Sequence, residues 1–258
     1  MLKKLFYNDF HAIRRRVLPL LLACLGCGAG GFCILLLDAV LPSVGDLAAF
    51  LDNTLTAVLI ALFIVFAVLT LLAFLHIFLH YRQNFFTEEG YLTFMLPATR
   101  EELLASKLIT GYLWLLILLL VDAVTLIFGA IIPIELLMRA ENVSFLSTLL
   151  RDLADVFTVL GTIDLLTALA AQLILIDTAI TVGAILFCKK PLLGTALAYA
   201  LFFGVTLLLR TLFALLFDAV TSSEEIFTAL ASILISVAAG VVGYLLSRTL
   251  LTRKLNLV

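Results

Sequence analysis

The sequence predicts an all-α integral membrane protein: six transmembrane helices preceded by an N-terminal amphipathic interfacial helix, with both termini in the cytoplasm. Three observations lead there. Of 258 residues, 64% are hydrophobic and 13% charged, against roughly 45–50% and about 25% in soluble domains; the mean hydropathy is +1.24. The apolar residues gather into runs long enough to cross a bilayer core of about 30 Å, which takes roughly 20 residues of helix. The basic residues segregate to alternate connections between those runs.

Taken in order, the chain opens with Lys3, Lys4 and Arg14–Arg16 beside an apolar face of Leu5, Phe6, Phe10 and Ile13 at helical spacing. That pattern predicts a helix over residues 1–16 lying in the interface, where its cations meet lipid phosphates. Spans follow at about 17–41, 54–80, 108–134, 155–187, 192–217 and 226–246. The runs are too long and continuous for the alternating strands of about ten residues that build a barrel. Cys24 ends a short lipoprotein-like box, yet the apolar run continues beyond it, and a retained first helix is expected. Segments 42–53, 135–154 and 218–225 are short outer connections, so the chain is read as one transmembrane domain over 1–258.

Orientation follows from Lys and Arg. Of 16 basic residues, one side holds Lys3, Lys4, Arg14, Arg15, Arg16, Arg82, Arg100, Lys107, Lys189, Lys190, Arg248, Arg253 and Lys254. The other holds Arg139 and Arg151, with Arg210 near the outer end of span five. Localisation in the cell (cytoplasmic) membrane as a multi-pass protein follows. The basic residues track topology rather than forming a patch, so nucleic-acid binding is not indicated.

The connection 81–107 differs from all others because it combines charge, turn signals and large apolar side chains. Thr87 is a candidate N-cap, and Glu88 and Glu89 suit a helix's positive first turn. Tyr91, Leu92, Phe94, Met95 and Leu96 supply an apolar set that Pro97 ends. Thr99-Arg100-Glu101-Glu102 then has capping-box spacing and predicts a new helix leading into span three. From spacing alone, the short helix either grips a partner or rests its rings among lipid headgroups.

The string EEGYLTFMLPATREELLASKL, followed by Ile109-Thr110-Gly111-Tyr112-Leu113-Trp114, resembles the segment between spans two and three in permease subunits of type-2 ATP-binding cassette exporters, as in Gram-positive bacterial members. The resemblance implies a permease that dimerises, with an identical or a related copy, and sits on separate nucleotide-binding ATPase subunits. It implies that Glu88, Glu89, Gly90, Tyr91, Leu92, Thr93, Phe94, Leu96 and Pro97 form the coupling surface for the ATPase. No G-x-x-x-x-G-K-[ST] phosphate loop occurs in the chain, so no cofactor is expected on it; ATP and Mg would reside on the partner subunits. It is not expected to be an enzyme. The missing outer domain of the sugar-exporting and large multidrug branches leaves the substrate class open.

Charges within spans are expensive, at least about 2.5–3.5 kcal/mol at a helix centre. Asp38, Asp122, Asp164, Asp177 and Arg210 are therefore singled out, either as charges locking helices together or as groups on a transport path. Depth along the helices permits Arg210 to pair with Asp122, Asp164 or Asp38, and leaves Asp177 without an evident basic partner. Gly26, Gly28, Gly30 and Gly31 on span one, and Gly240 and Gly243 on span six, suit close helix packing. If span one lines the dimer interface, as the resemblance suggests, Phe32, Cys33 and Asp38 flank the path.

Other chemistries are disfavoured. His76 and His80 share a helix face without an acidic residue in the same turn, and Cys24-x-x-Cys27 reads as packing before redox chemistry. Two alternatives to the permease stay open: a proton-coupled secondary carrier using Asp177 or Asp122, and a non-transporting membrane immunity or assembly protein.

Overall fold

A computed structural model describes residues 2–40, 46–86, 99–131, 159–186, 190–218 and 224–254. The described residues form six long helices and no strand: α1 (Leu2–Val40), α2 (Asp46–Phe86), α3 (Arg100–Leu126, extended by a π-helical turn Ile127–Ile131), α4 (Val159–Leu186), α5 (Pro191–Asp218) and α6 (Glu224–Lys254). Each contains a stretch long and apolar enough to cross a membrane, and these stretches run Lys3–Leu37, Asn53–Phe86, Glu101–Gly129, Leu160–Leu186, Pro191–Leu212 and Ala229–Thr252. The chain is thus an all-helical, multi-pass membrane protein by length and composition.

Two local readings change. No break separates residues 2–16 from the first span: α1 is continuous over 39 residues. The change from charged to apolar composition at Val17 is not a stop signal, because Lys, Arg and Leu are all good helix formers. Pro19 lies inside α1, where it removes the N–H that Arg15's carbonyl would accept from. Likewise α2 begins at Asp46, so much of the expected outer connection 42–53 is helix. At 41 residues, α2 is about 61 Å long, well beyond the hydrocarbon thickness.

The chain packs as two compact units. The first comprises Met1–Phe10, Phe78–Leu113 and Ala154–Val258. Within it, α4 is the central helix, packing on both α5 and α6. Its face toward α6 is polar: Thr178 Oγ1 donates to the Ile174 carbonyl (2.6 Å) and to the Gly243 carbonyl (3.0 Å), and Ser247 Oγ lies 3.1 Å from Thr178 Oγ1. Toward α5, Gly183 allows direct backbone contact. A Cβ there would overlap the Thr195 backbone nitrogen and hydroxyl and approach its Cα to 2.7 Å.

The second unit comprises His11–Ile77 and Trp114–Leu153. Here a Cβ on Gly129, within the π-helical turn, would come 2.8 Å from Gly28 Cα, so the small residues of α1 do serve close packing at this level. Cys24 Sγ lies 3.9 Å from Thr70 Oγ1. An apolar cleft of about 340 Å³ opens beside the Gly28–Gly129 approach, with Cys27, Gly31, Phe63, Phe66 and Thr125 also in its wall. Phe63 and Leu71 of α2 stand 63% and 56% exposed, as expected for a helix whose neighbour is lipid rather than water.

Close packing at Gly183 is directly testable. Gly183→Ala should lower stability by about 1–3 kcal/mol through overpacking, read as a reduced melting temperature in detergent. Gly204→Ala, whose Cβ meets nothing within 4 Å, should be neutral or stabilising by up to about 1 kcal/mol.

Candidate functional site

The coupling residues expected from sequence, Glu88, Glu89, Gly90, Tyr91, Leu92, Thr93, Phe94, Leu96 and Pro97, lie outside the described residues. The helix ends that carry them are described, and both belong to the first unit.

At the α2 end, Tyr81 is buried, and its hydroxyl lies 3.1 Å from Thr181 Oγ1 of α4. Phe85 is also buried and meets Tyr81 edge-on at a centroid distance of 5.0 Å. Asn84 reaches back one turn, with Nδ2 2.8 Å from the His80 carbonyl and 3.1 Å from His80 Nε2. Aromatic burial and a hydroxyl bridge to α4 thus fix the last two turns before residue 87.

At the α3 end, the capping box read from Thr99 and Glu102 forms. Glu102 N donates to Thr99 Oγ1 (3.2 Å), and Thr99 N donates back to Glu102 Oε2 (3.0 Å). These satisfy donors that a helix N-terminus otherwise leaves orphaned. Glu101 pairs with Arg248 of α6; both side chains are about half exposed, so the pair contributes little.

One turn further along α3 is a buried polar clasp. Asp9 Oδ2 of α1 accepts from Ser106 Oγ at 2.8 Å, Asp9 Oδ1 forms an ion pair with Lys107, and His80 Nε2 of α2 lies 3.9 Å from that same Oδ1. Asp9 and Lys107 are each 8% exposed and Ser106 is fully buried. Charge-assisted hydrogen bonds of this kind are roughly twice as strong as neutral ones. Nothing in the sequence flagged Asp9. It sits 97 residues before Ser106, and its neighbours read only as an interfacial helix.

Among the described residues, hydroxyls rather than opposite charges meet two of the intramembrane charges. Arg210 Nη2 donates to Ser236 Oγ of α6 at 2.6 Å, and among the described residues it forms no ion pair. Asp122 instead accepts from Thr70 Oγ1 at 3.1 Å. A hydroxyl thus satisfies each group locally, without bringing opposite charges together. Asp164 Oδ1 is buried without a hydrogen-bond partner. Asp177 is 4% exposed, and no described side chain donates to its carboxylate. Asp38 lies in α1, with its side chain outside the described residues. On the same helix Cys33 is exposed and Phe32 half-buried. His76 Nδ1 lies 2.9 Å from the Leu72 carbonyl.

No protein family, curated protein or solved structure matches this chain.

Removing one partner of the Asp9–Lys107 pair strips a buried charge of its ion-pair partner. Asp9→Asn or Lys107→Met should each destabilise by about 3–5 kcal/mol. The double variant Asp9→Asn with Lys107→Met should be less destabilised than the sum of those two single changes. Melting temperatures of the purified chains in detergent provide the comparison.

Proposed function

We propose that this chain is the membrane-spanning permease subunit of an ATP-driven exporter in the cell membrane. It dimerises with an identical or related copy and couples through residues 81–107 to separate ATPase subunits, which carry the ATP and Mg. Both termini face the cytoplasm in this reading.

The observation that carries the proposal is the fastening of both helix ends around segment 87–98 within one compact unit. Tyr81 bonds to Thr181 on one side; the Thr99–Glu102 box and the Asp9–Lys107 pair hold the other. A segment gripped by an outside partner transmits force only if its ends are firmly attached to what must move. The second support is the likeness of EEGYLTFMLPATREELLASKL to the coupling segment of type-2 exporter permeases.

A second reading, a proton-coupled carrier, draws on Asp177. A buried ionisable residue inside a membrane span is a functional-site hypothesis by default. In that reading, Asp177→Asn abolishes transport driven by a pH gradient while leaving the protein folded.

The test of the leading reading is a native pull-down of the tagged chain in mild detergent, compared with the double variant Tyr91→Ala, Leu92→Ala. The expected result is a stoichiometric cytosolic ATPase with the parent chain, and its loss with a variant that remains monodisperse. A well-folded parent chain that brings down no ATPase contradicts the proposal.

A further inference from the structure

A guanidinium inside a membrane-spanning helix needs a counter-charge or a polar lining. Among the described residues Arg210 has the second without the first. It sits 19 residues after Pro191, about 28 Å along α5, two residues before the end of that helix's apolar stretch at Leu212. Its side chain is half-buried and bonds to Ser236.

Arg210 borders a cavity between α4, α5 and α6, all within the first unit. The volume is about 130 Å³, roughly ten times the ~10–15 Å³ that one water needs. The cavity therefore admits a headgroup-sized ligand and excludes a whole lipid.

The polar lining is rich in donors. Tyr199 OH donates to Gln172 Oε1 at 3.2 Å, which occupies that amide's acceptor and leaves its NH₂ to donate. Ser236 accepts from Arg210, so its own hydroxyl hydrogen remains available. Arg210 retains further N–H groups in a planar fork that suits a carboxylate or phosphate. No Asp or Glu is among the described lining residues. Thr206 also lines the wall, with its hydroxyl turned back to the Phe203 carbonyl at 2.8 Å, and the remaining lining is apolar and includes Leu175, Phe203, Leu207 and Ile235.

From this geometry we infer that the Arg210–Gln172–Ser236 cavity binds the oxyanion of an amphiphile, a carboxylate or phosphate whose apolar tail extends along the α5 side. The inference uses none of the coupling-segment argument and stands or falls separately from it. A membrane phospholipid and a free amphiphile share this chemistry.

The experiment titrates the purified full chain in neutral detergent with laurate, dodecyl phosphate and, as an uncharged control, dodecanol, followed by calorimetry. Laurate or dodecyl phosphate should bind at least about tenfold more tightly than dodecanol, the ratio expected for hydrogen bonds to a charged group. Arg210→Gln should abolish that preference, Arg210→Lys should retain part of it, and Gln172→Leu should weaken it. If Arg210→Gln fails to purify as a monodisperse protein, Arg210→Lys and Gln172→Leu decide. Equal binding of dodecanol, or an anion preference unchanged in every well-folded variant, overturns the inference. Native mass spectra of chain extracted directly from membranes separate the sources. An anionic phospholipid retained by the parent and absent from Arg210→Gln identifies a lipid site. An empty parent that still takes up laurate identifies a site for free amphiphiles.

Discussion

Hydrocarbon offers no hydrogen-bond partner, and polar groups in such a chain must be satisfied by the chain itself. That constraint governs nearly every polar contact here. Hydroxyls turn back on their own helices, as Thr110 does to Ser106, Thr125 to Val121 and Thr195 to Pro191. Where a full charge is involved, the requirement is sharper. The Asp9–Lys107 pair is the clearest case, because both side chains are buried and each pairs with the other. It ties the first turns of α1 to the base of α3, beside the segment that makes this chain distinctive.

The same constraint explains why α4 is the organising helix of its unit. It has a small or hydroxylated residue at each closest approach, with Gly183 against α5 and Thr178 against Gly243 of α6. Without a hydrophobic driving force between helices in lipid, such close approach and interhelical hydrogen bonding are the main sources of association. Large apolar side chains on α2 and α5 remain exposed because lipid solvates them as well as protein would.

Much of this was legible in the sequence. The number and type of helices follow from the apolar runs, since hydropathy measures directly what the bilayer demands. The Thr99–Glu102 capping box was legible because it is local, three residues apart. The Gly28 approach was visible as a small-residue pattern, though not its partner Gly129. What escaped was non-local or crossed a change of composition. Asp9 meets residues nearly a hundred positions away, and no periodicity signals that meeting. The continuity of α1 was missed because a switch from cationic to apolar side chains marks a change of solvent, not of backbone conformation. Depth along a helix permitted Arg210 a carboxylate partner but says nothing about azimuth; among the described residues its partner is Ser236.

The central claim is that segment 87–98, held at both ends by the first unit, is a cytoplasmic surface for an ATPase. Its most direct test is labelling of a Leu92→Cys variant by a membrane-impermeant maleimide, in intact cells and in inverted membrane vesicles, with the parent chain as background. The account predicts labelling in inverted vesicles alone, slowed when the co-purifying ATPase is added back. Labelling of Leu92→Cys from outside intact cells would contradict it.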